Sequence, residues 1–100
     1  MDDKQLSLLG LARRAGKLSL GSDAAREAAL GGCPLILFAA DLSPHTVRKV
    51  SAAAARGKTK TVTLHAGMDE IGAAIGKRTG VIAVHDIGFA KKLLALNAED

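Results

Sequence analysis

The chain has 100 residues, 48% of them hydrophobic and 24% charged, a composition that fits one globular domain over residues 1–100 and argues against disorder or a coiled coil. Fourteen Lys and Arg outweigh ten Asp and Glu for a net charge of +4, which favours a polyanionic partner. Each half of the chain carries seven basic and five acidic side chains, so there is no basic tail and any cationic patch has to be assembled by folding. The longest apolar run, Pro34–Ala40, has seven residues against the roughly 20 that span a bilayer, so no membrane helix is expected. The opening Met1-Asp2-Asp3-Lys4 is acidic ahead of anything apolar and lacks a secretory pattern, which predicts a cytoplasmic protein.

A helix is predicted from about Lys4 to Ala15, with Leu8, Leu11, Ala12 and Ala15 on its buried face and Gly16 as its stop. A short extended piece follows over Lys17–Leu20. Gly21-Ser22-Asp23 then reads as a helix start with Ser22 as N-cap, and Gly31-Gly32 ends that helix. The continuous apolar run Leu35–Ala39 predicts a strand buried on both faces. Ser43-Pro44 combines an N-cap with proline at the first helical position, so a third helix runs from about Pro44 to Arg56 and Gly57 closes it. Its buried stripe is Val47, Val50 and Ala54, with Arg48, Lys49 and Arg56 directed elsewhere. Thr61–Leu64 alternates as a half-exposed strand does. Met68, Ile71 and Ile75 mark a fourth helix ending at Gly76, with Asp69 and Glu70 in its first turn, where the helix dipole favours acids. Val81–Val84 is a second fully buried strand. Asp86 caps a last helix in which Ile87, Ala90, Leu93 and Leu94 face inward. Five helices alternating with four strands imply a single-domain three-layer α/β/α sandwich on a mixed four-stranded sheet.

The residues able to carry chemistry are few. His45, His65 and His85 each end a predicted element, none at metal-pair spacing, and surface or capping roles account for them. The single cysteine, Cys33, has no disulfide partner or basic neighbour and reads as a packed, inert thiol. Asp41 and Asp86 follow the two buried strands, where turn and N-cap duty is the simpler reading. Neither GxGxxG nor GxxxxGK[ST] occurs, and no acid, base and nucleophile set emerges, so an enzyme, a cofactor, a metal and a small-molecule substrate are all unexpected. With Phe38 and Phe89 as the only aromatics, base reading by stacking is disfavoured.

Two segments suit an anionic polymer. In Gly76-Lys77-Arg78-Thr79-Gly80, paired cations flanked by glycines sit between a helix end and a buried strand. The segment can act as a phosphate cradle or simply as a basic turn. In Gly21-Ser22-Asp23-Ala24-Ala25-Arg26, N–H groups at a helix start stand beside an acid and an arginine at i, i+3. Carboxylate and guanidinium on one face can discriminate bases, or can form a local ion pair worth a few tenths of a kcal/mol.

Leu9-Gly10-Leu11-Ala12-Arg13-Arg14-Ala15-Gly16-Lys17-Leu18, Asp69-Glu70-Ile71-Gly72 with Ala74-Ile75-Gly76-Lys77, and Gly88-Phe89-Ala90-Lys91-Lys92 resemble, in order, the segments of bacterial YlxQ-like proteins. These are a branch of the ribosomal-protein superfamily whose members bind kink-turn RNA. The likeness runs from about Leu6 to Leu94. In that family an Asn-Glu-x-x-Lys stretch opens the second helix and enters the RNA at tandem sheared G·A pairs. Ser22-Asp23-Ala24-Ala25-Arg26 falls on that stretch with Ser for Asn, Asp for Glu and Arg for Lys. The resemblance therefore implies RNA contacts from Gly21, Ser22, Asp23 and Arg26, from Lys17 at the end of the first motif, and from the loop Lys77, Arg78, Thr79 and Gly80, with Val81 as an apolar contact beside an extruded nucleotide. It also implies a monomeric, ribosome-associated or ribosomal protein that stabilises bent RNA, ribosomal RNA among the candidates. The alternative is a protein-interaction module of the same fold without RNA readout.

Overall fold

Two four-residue strands without a polar side chain, β2 (Leu35–Phe38) and β4 (Val81–Val84), are buried along their whole length. They pair antiparallel at the centre of the sheet, with Leu35 opposite Val84 and Phe38 opposite Val81. The structure is a computed structural model that describes residues 4–98; the acidic start at Met1, Asp2 and Asp3 lies outside the described residues. The edge strands are the less apolar ones, β1 (Leu18–Leu20) antiparallel to β4 and β3 (Thr61–Thr63) parallel to β2, which gives the order β1-β4-β2-β3.

Strand side chains alternate between faces, so each central strand feeds two cores. Leu35, Leu37, Ile82 and Val84 join Leu9, Ile71, Ile75, Ala90 and Leu93 from α1 (Lys4–Arg14), α4 (Met68–Ile75) and α5 (Ile87–Ala98). Ile36, Phe38, Val81 and Ala83 meet Ala25, Ala29, Val50, Ala53 and Ala54 from α2 (Ser22–Leu30) and α3 (Pro44–Gly57). The result is the expected α/β/α sandwich, with three helices on one face and two on the other. Among the described residues no helix is long and apolar enough to cross a membrane.

The helix starts follow local chemistry. Ser43 Oγ accepts from Thr46 N–H at the start of α3, and Asp86 Oδ2 accepts from Phe89 N–H (2.9 Å) in α5. Two inward assignments are corrected. On α1 the buried stripe is Gln5, Leu9 and Ala12, whereas Leu11 is 51% exposed and Ala15 is exposed. The apolar residues of α1 can be divided into more than one stripe, and α4 and α5 select the one whose Gln5 Nε2 donates to Asn97 Oδ1 (3.2 Å). Ile87, in the first turn of α5, is 65% exposed. The third helix also runs one residue further than expected: Gly57 is its last helical residue, and Lys58 (φ 57°) takes the left-handed cap.

Gly57 is needed for contact. A Cβ built there lies 1.8 Å from the carbonyl oxygen of Ala29, because α2 and α3 approach through alanines and this glycine. That carbonyl also accepts from Thr59 Oγ1 (2.9 Å), which ties the two helix ends together. Gly57→Ala is expected to destabilise the fold by about 3 kcal/mol, because overpacking against backbone exceeds the roughly 1 kcal/mol that alanine gains in helix propensity. Urea denaturation checks this, and a variant as stable as wild type would mean that the helices separate without cost.

Candidate nucleic-acid interface

The chain brings the start of α2 and the end of the Gly76–Gly80 loop to one point. β1 ends at Leu20 and β4 begins at Val81, and because these strands are antiparallel neighbours the two termini lie side by side. The Val81 carbonyl oxygen accepts from Gly21 N–H (3.0 Å) and from Thr79 Oγ1 (3.1 Å). A carbonyl has two lone pairs, and here each segment uses one. Gly80 extends the link to the central strand, since its carbonyl accepts from Ala39 N–H (2.9 Å).

Gly21 makes the turn and replaces Ser22 as the N-cap of α2, correcting that assignment. Its φ of 98° and ψ of 156° belong to a region that residues bearing a Cβ rarely enter. Ser22 thereby becomes the first helical residue, and no side chain caps the helix. The N–H groups of Ser22, Asp23 and Ala24 have no partner among the described residues, and Ala25 N–H is the first bonded, to the Gly21 carbonyl. The starts of α3, α4 and α5 differ, since each has a carboxylate or hydroxyl on an N–H group; for α4, Asp41 Oδ1 accepts from Met68 N–H (2.9 Å).

Asp23 and Arg26 are both exposed on α2, and no ion pair closes between them among the described residues. An acceptor and a donor therefore stand open beside three unpaired N–H groups at a positive helix terminus. In the loop, the cations differ. Arg78 Nε donates to Asp69 Oδ1 at 2.6 Å, and the hydrogen bond and charge of Asp69 raise the guanidinium above its ordinary value. Lys77 is exposed and has no such partner. The Asp69–Arg78 pair spans nine residues and was not anticipated from the sequence, although an acid in the first turn of a short helix just before a basic loop is a signal for it.

Three expected contact residues are placed differently. Val81 is 1% exposed within the α2–α3 core, so its side chain offers no surface contact; it acts through its carbonyl. Thr79 is 7% exposed with its hydroxyl spent on that carbonyl, which makes it a holder of the loop. Lys17 is exposed at the opposite end of β1, where its carbonyl accepts from His85 N–H (2.8 Å); the four steps to Gly21 extend about 13 Å in strand geometry. Strand direction separates Lys17 from the cluster in spite of its nearness in sequence.

The remaining candidates are accounted for locally. His85 Nε2 is hydrogen-bonded to Ser19 Oγ (2.6 Å), and among the described residues no group of three or more His, Cys, Asp and Glu side chains could hold a metal ion. Cys33 packs at the edge of the α2–α3 core with Sγ donating weakly to the Leu35 carbonyl (3.6 Å), and burial raises its thiol above the ordinary value. Because the thiolate is the reactive form, alkylation of native protein near pH 8 is expected to be slower than that of the urea-unfolded chain, with the two rates converging at higher pH. A faster native rate would contradict the packed thiol.

Comparison with known proteins returns structures rather than named families. No protein-family model matches the chain, and no curated protein does. Among solved structures, a Giardia lamblia 15.5 kD RNA-binding protein covers 94% of this chain and 84% of its own with a TM-score of 0.75. Its identity to this chain is 18%, a likeness of fold. A protein of unknown function from Bacillus halodurans is 34% identical, covers 97% of this chain and 99% of its own, and has a TM-score of 0.89. With that identity held over nearly the full length of both, the chain belongs to the same family as the Bacillus halodurans protein.

Proposed function

We propose that this protein binds RNA, and that its target is a sharply bent RNA of the kink-turn type. The observation that carries the reading is the junction at Val81, where one carbonyl fixes both the uncapped start of α2 and the end of the basic Gly76–Gly80 loop. Regular A-form RNA hides its base edges in a deep, narrow major groove, so a helix end reads them only where the duplex opens at a bend. In this reading the α2 terminus enters that opening. Asp23 accepts from base amino or imino groups, Arg26 donates to guanine O6 and N7 or to phosphate, and the open N–H groups meet phosphate or base oxygens. Lys77, and Arg78 once it exchanges Asp69 for phosphate, hold the backbone. The bent conformer is then stabilised because it binds better than the straight one. The resemblance to kink-turn binders and the fold likeness to a Giardia RNA-binding protein support this assignment. Binding rather than catalysis is the proposed activity, with structured RNA, ribosomal RNA among the candidates, as partner.

A second reading, a protein-interaction module, has one feature in its favour: a groove of about 440 Å³ between α1 and α4, lined by Leu6, Gly10, Leu11, Arg14 and Ala74, which leaves Leu11 half-exposed. A titration at stated salt separates the two, comparing a kink-turn RNA with the same RNA whose G·A pairs are replaced by Watson–Crick pairs. Tight binding to the kink-turn alone supports the RNA reading; equally weak, salt-sensitive binding to both removes it.

Arg26→Ala is expected to weaken kink-turn binding by about 1 to 3 kcal/mol and to narrow the preference over the Watson–Crick control, because its donors reach both base and phosphate. Lys77→Ala is expected to weaken both RNAs alike and to reduce the slope of log K against log salt by about 1. Arg78→Ala should change that slope less, since Asp69 already neutralises much of its charge. An unchanged slope in Lys77→Ala would place the loop outside the interface.

A further inference from the structure

Helices α2 and α3 run in the same direction. Each starts at the end of the sheet that carries Val81 and Phe38, and the glycine contact at Ala29 lies near both of their C-terminal ends. Between them lies a surface groove of about 270 Å³ lined by Arg26, Leu30, Lys49, Ala52, Ala53 and Arg56. Its rim is cationic and its floor is aliphatic, and none of its lining residues is acidic. Arg26, Lys49 and Arg56 are all exposed, and no hydrogen bond or ion pair holds any of them among the described residues. This contrasts with Arg78, whose charge is met by Asp69 at 2.6 Å.

We propose that the α2–α3 groove is a phosphate track, in which Lys49 and Arg56 hold the backbone of the RNA helix that leaves the bend read by Arg26. The inference rests on the RNA reading above and adds a second, sequence-independent contact to it. Arg26 belongs to both surfaces, so a strand engaged at the start of α2 is already at the mouth of the groove. Lys49 and Arg56 are seven residues apart on α3, about 10 Å along the helix axis, enough to meet separate phosphates of one strand. The floor of Ala52, Ala53 and Leu30 has no side-chain donor or acceptor with which to read a base, and it gives the long cationic side chains an apolar surface to lie along. A rim of charge over a floor without polar groups suits a partner that offers charge at regular spacing and requires no recognition.

The test compares wild type with Lys49→Ala/Arg56→Ala, both exposed helical positions where alanine preserves the helix, after matched circular-dichroism melts. Each protein is titrated over a range of salt against a kink-turn RNA with a long flanking helix, the same kink-turn with that helix cut short, and the Watson–Crick control. The proposal expects the double variant to lose about tenfold in affinity for the long RNA, with a salt slope smaller by about 1 to 2. It also expects little loss on the short RNA and an unchanged preference for kink-turn over control. If wild type binds and the double variant matches it in affinity and slope, the track is overturned while the RNA reading stands. Equal loss on short and long RNA also overturns it, because the charges then act at the bend itself. Failure of wild type to bind any of the RNAs overturns both readings, and an acidic protein segment becomes the occupant to test.

Discussion

The constraint on which the molecule depends is that β2 and β4 have no side that tolerates water. A fully buried leucine or isoleucine contributes about 1.5 to 3 kcal/mol, and in these strands consecutive residues enter different cores, so both faces of the sheet have to be closed by helices. Buried in this way, β4 also needs a partner for the backbone groups along each of its edges, which β1 and β2 provide. The exposed Asp69–Arg78 pair, by comparison, is screened by solvent and adds little to the fold. The position of the candidate interface is thus inherited from apolar burial. Placing β4 beside β1 is what sets residue 21 next to residue 81.

That adjacency makes the interface a supported one. Gly21 and Thr79 both donate to an oxygen whose own residue is locked in the core, so the α2 terminus and the end of the basic loop share one fixed reference. Hydrogen bonds of this kind from behind are what hold candidate contact groups in place when those groups sit on turns. The same turn leaves α2 uncapped. With Gly21 at φ 98° the N-cap position has no side chain, and the hydrogen-bonding capacity that Ser43, Asp41 and Asp86 satisfy elsewhere stays available there.

What could be read in the sequence is what local chemistry decides. The runs Leu35–Phe38 and Val81–Val84, the Ser43-Pro44 start, the Asp86 cap and the Gly76 stop each carry their cause within a few residues, and the structure has all of them. The misreadings depend on distant partners. Which stripe of α1 is buried is settled by α4 and α5, including a hydrogen bond from Gln5 to Asn97, 92 residues away. Lys17 sits next to the second helix in sequence yet at the far end of β1, because strand direction is invisible to spacing. For Val81 the apolar run itself predicts burial, which the central place of β4 bears out, and it is the RNA contact implied by the resemblance that its buried side chain does not offer. The stripe Lys49, Ala52, Ala53 and Arg56 could have been found at i, i+3, i+4, i+7, but its significance comes from Arg26 and Leu30 on another helix.

The distribution of charge separates folding from binding in this molecule. Arg13 serves the fold, since its Nη1 donates to the Ile75 carbonyl (2.8 Å) at the end of α4 and offsets the negative helix terminus. Arg26, Lys49, Arg56 and Lys77 serve no such purpose: they are exposed, lack partners among the described residues, and lie over cores that close without them. Unpaired surface charges contribute little to stability, so nothing in the folding energetics requires that three of them converge on one groove with no acid in its lining. A polyanion changes that balance, because each phosphate met by one of these cations releases condensed counterions and the gain accumulates with the number of contacts. The side chains that matter least to the folded state are therefore those on which RNA affinity would depend most.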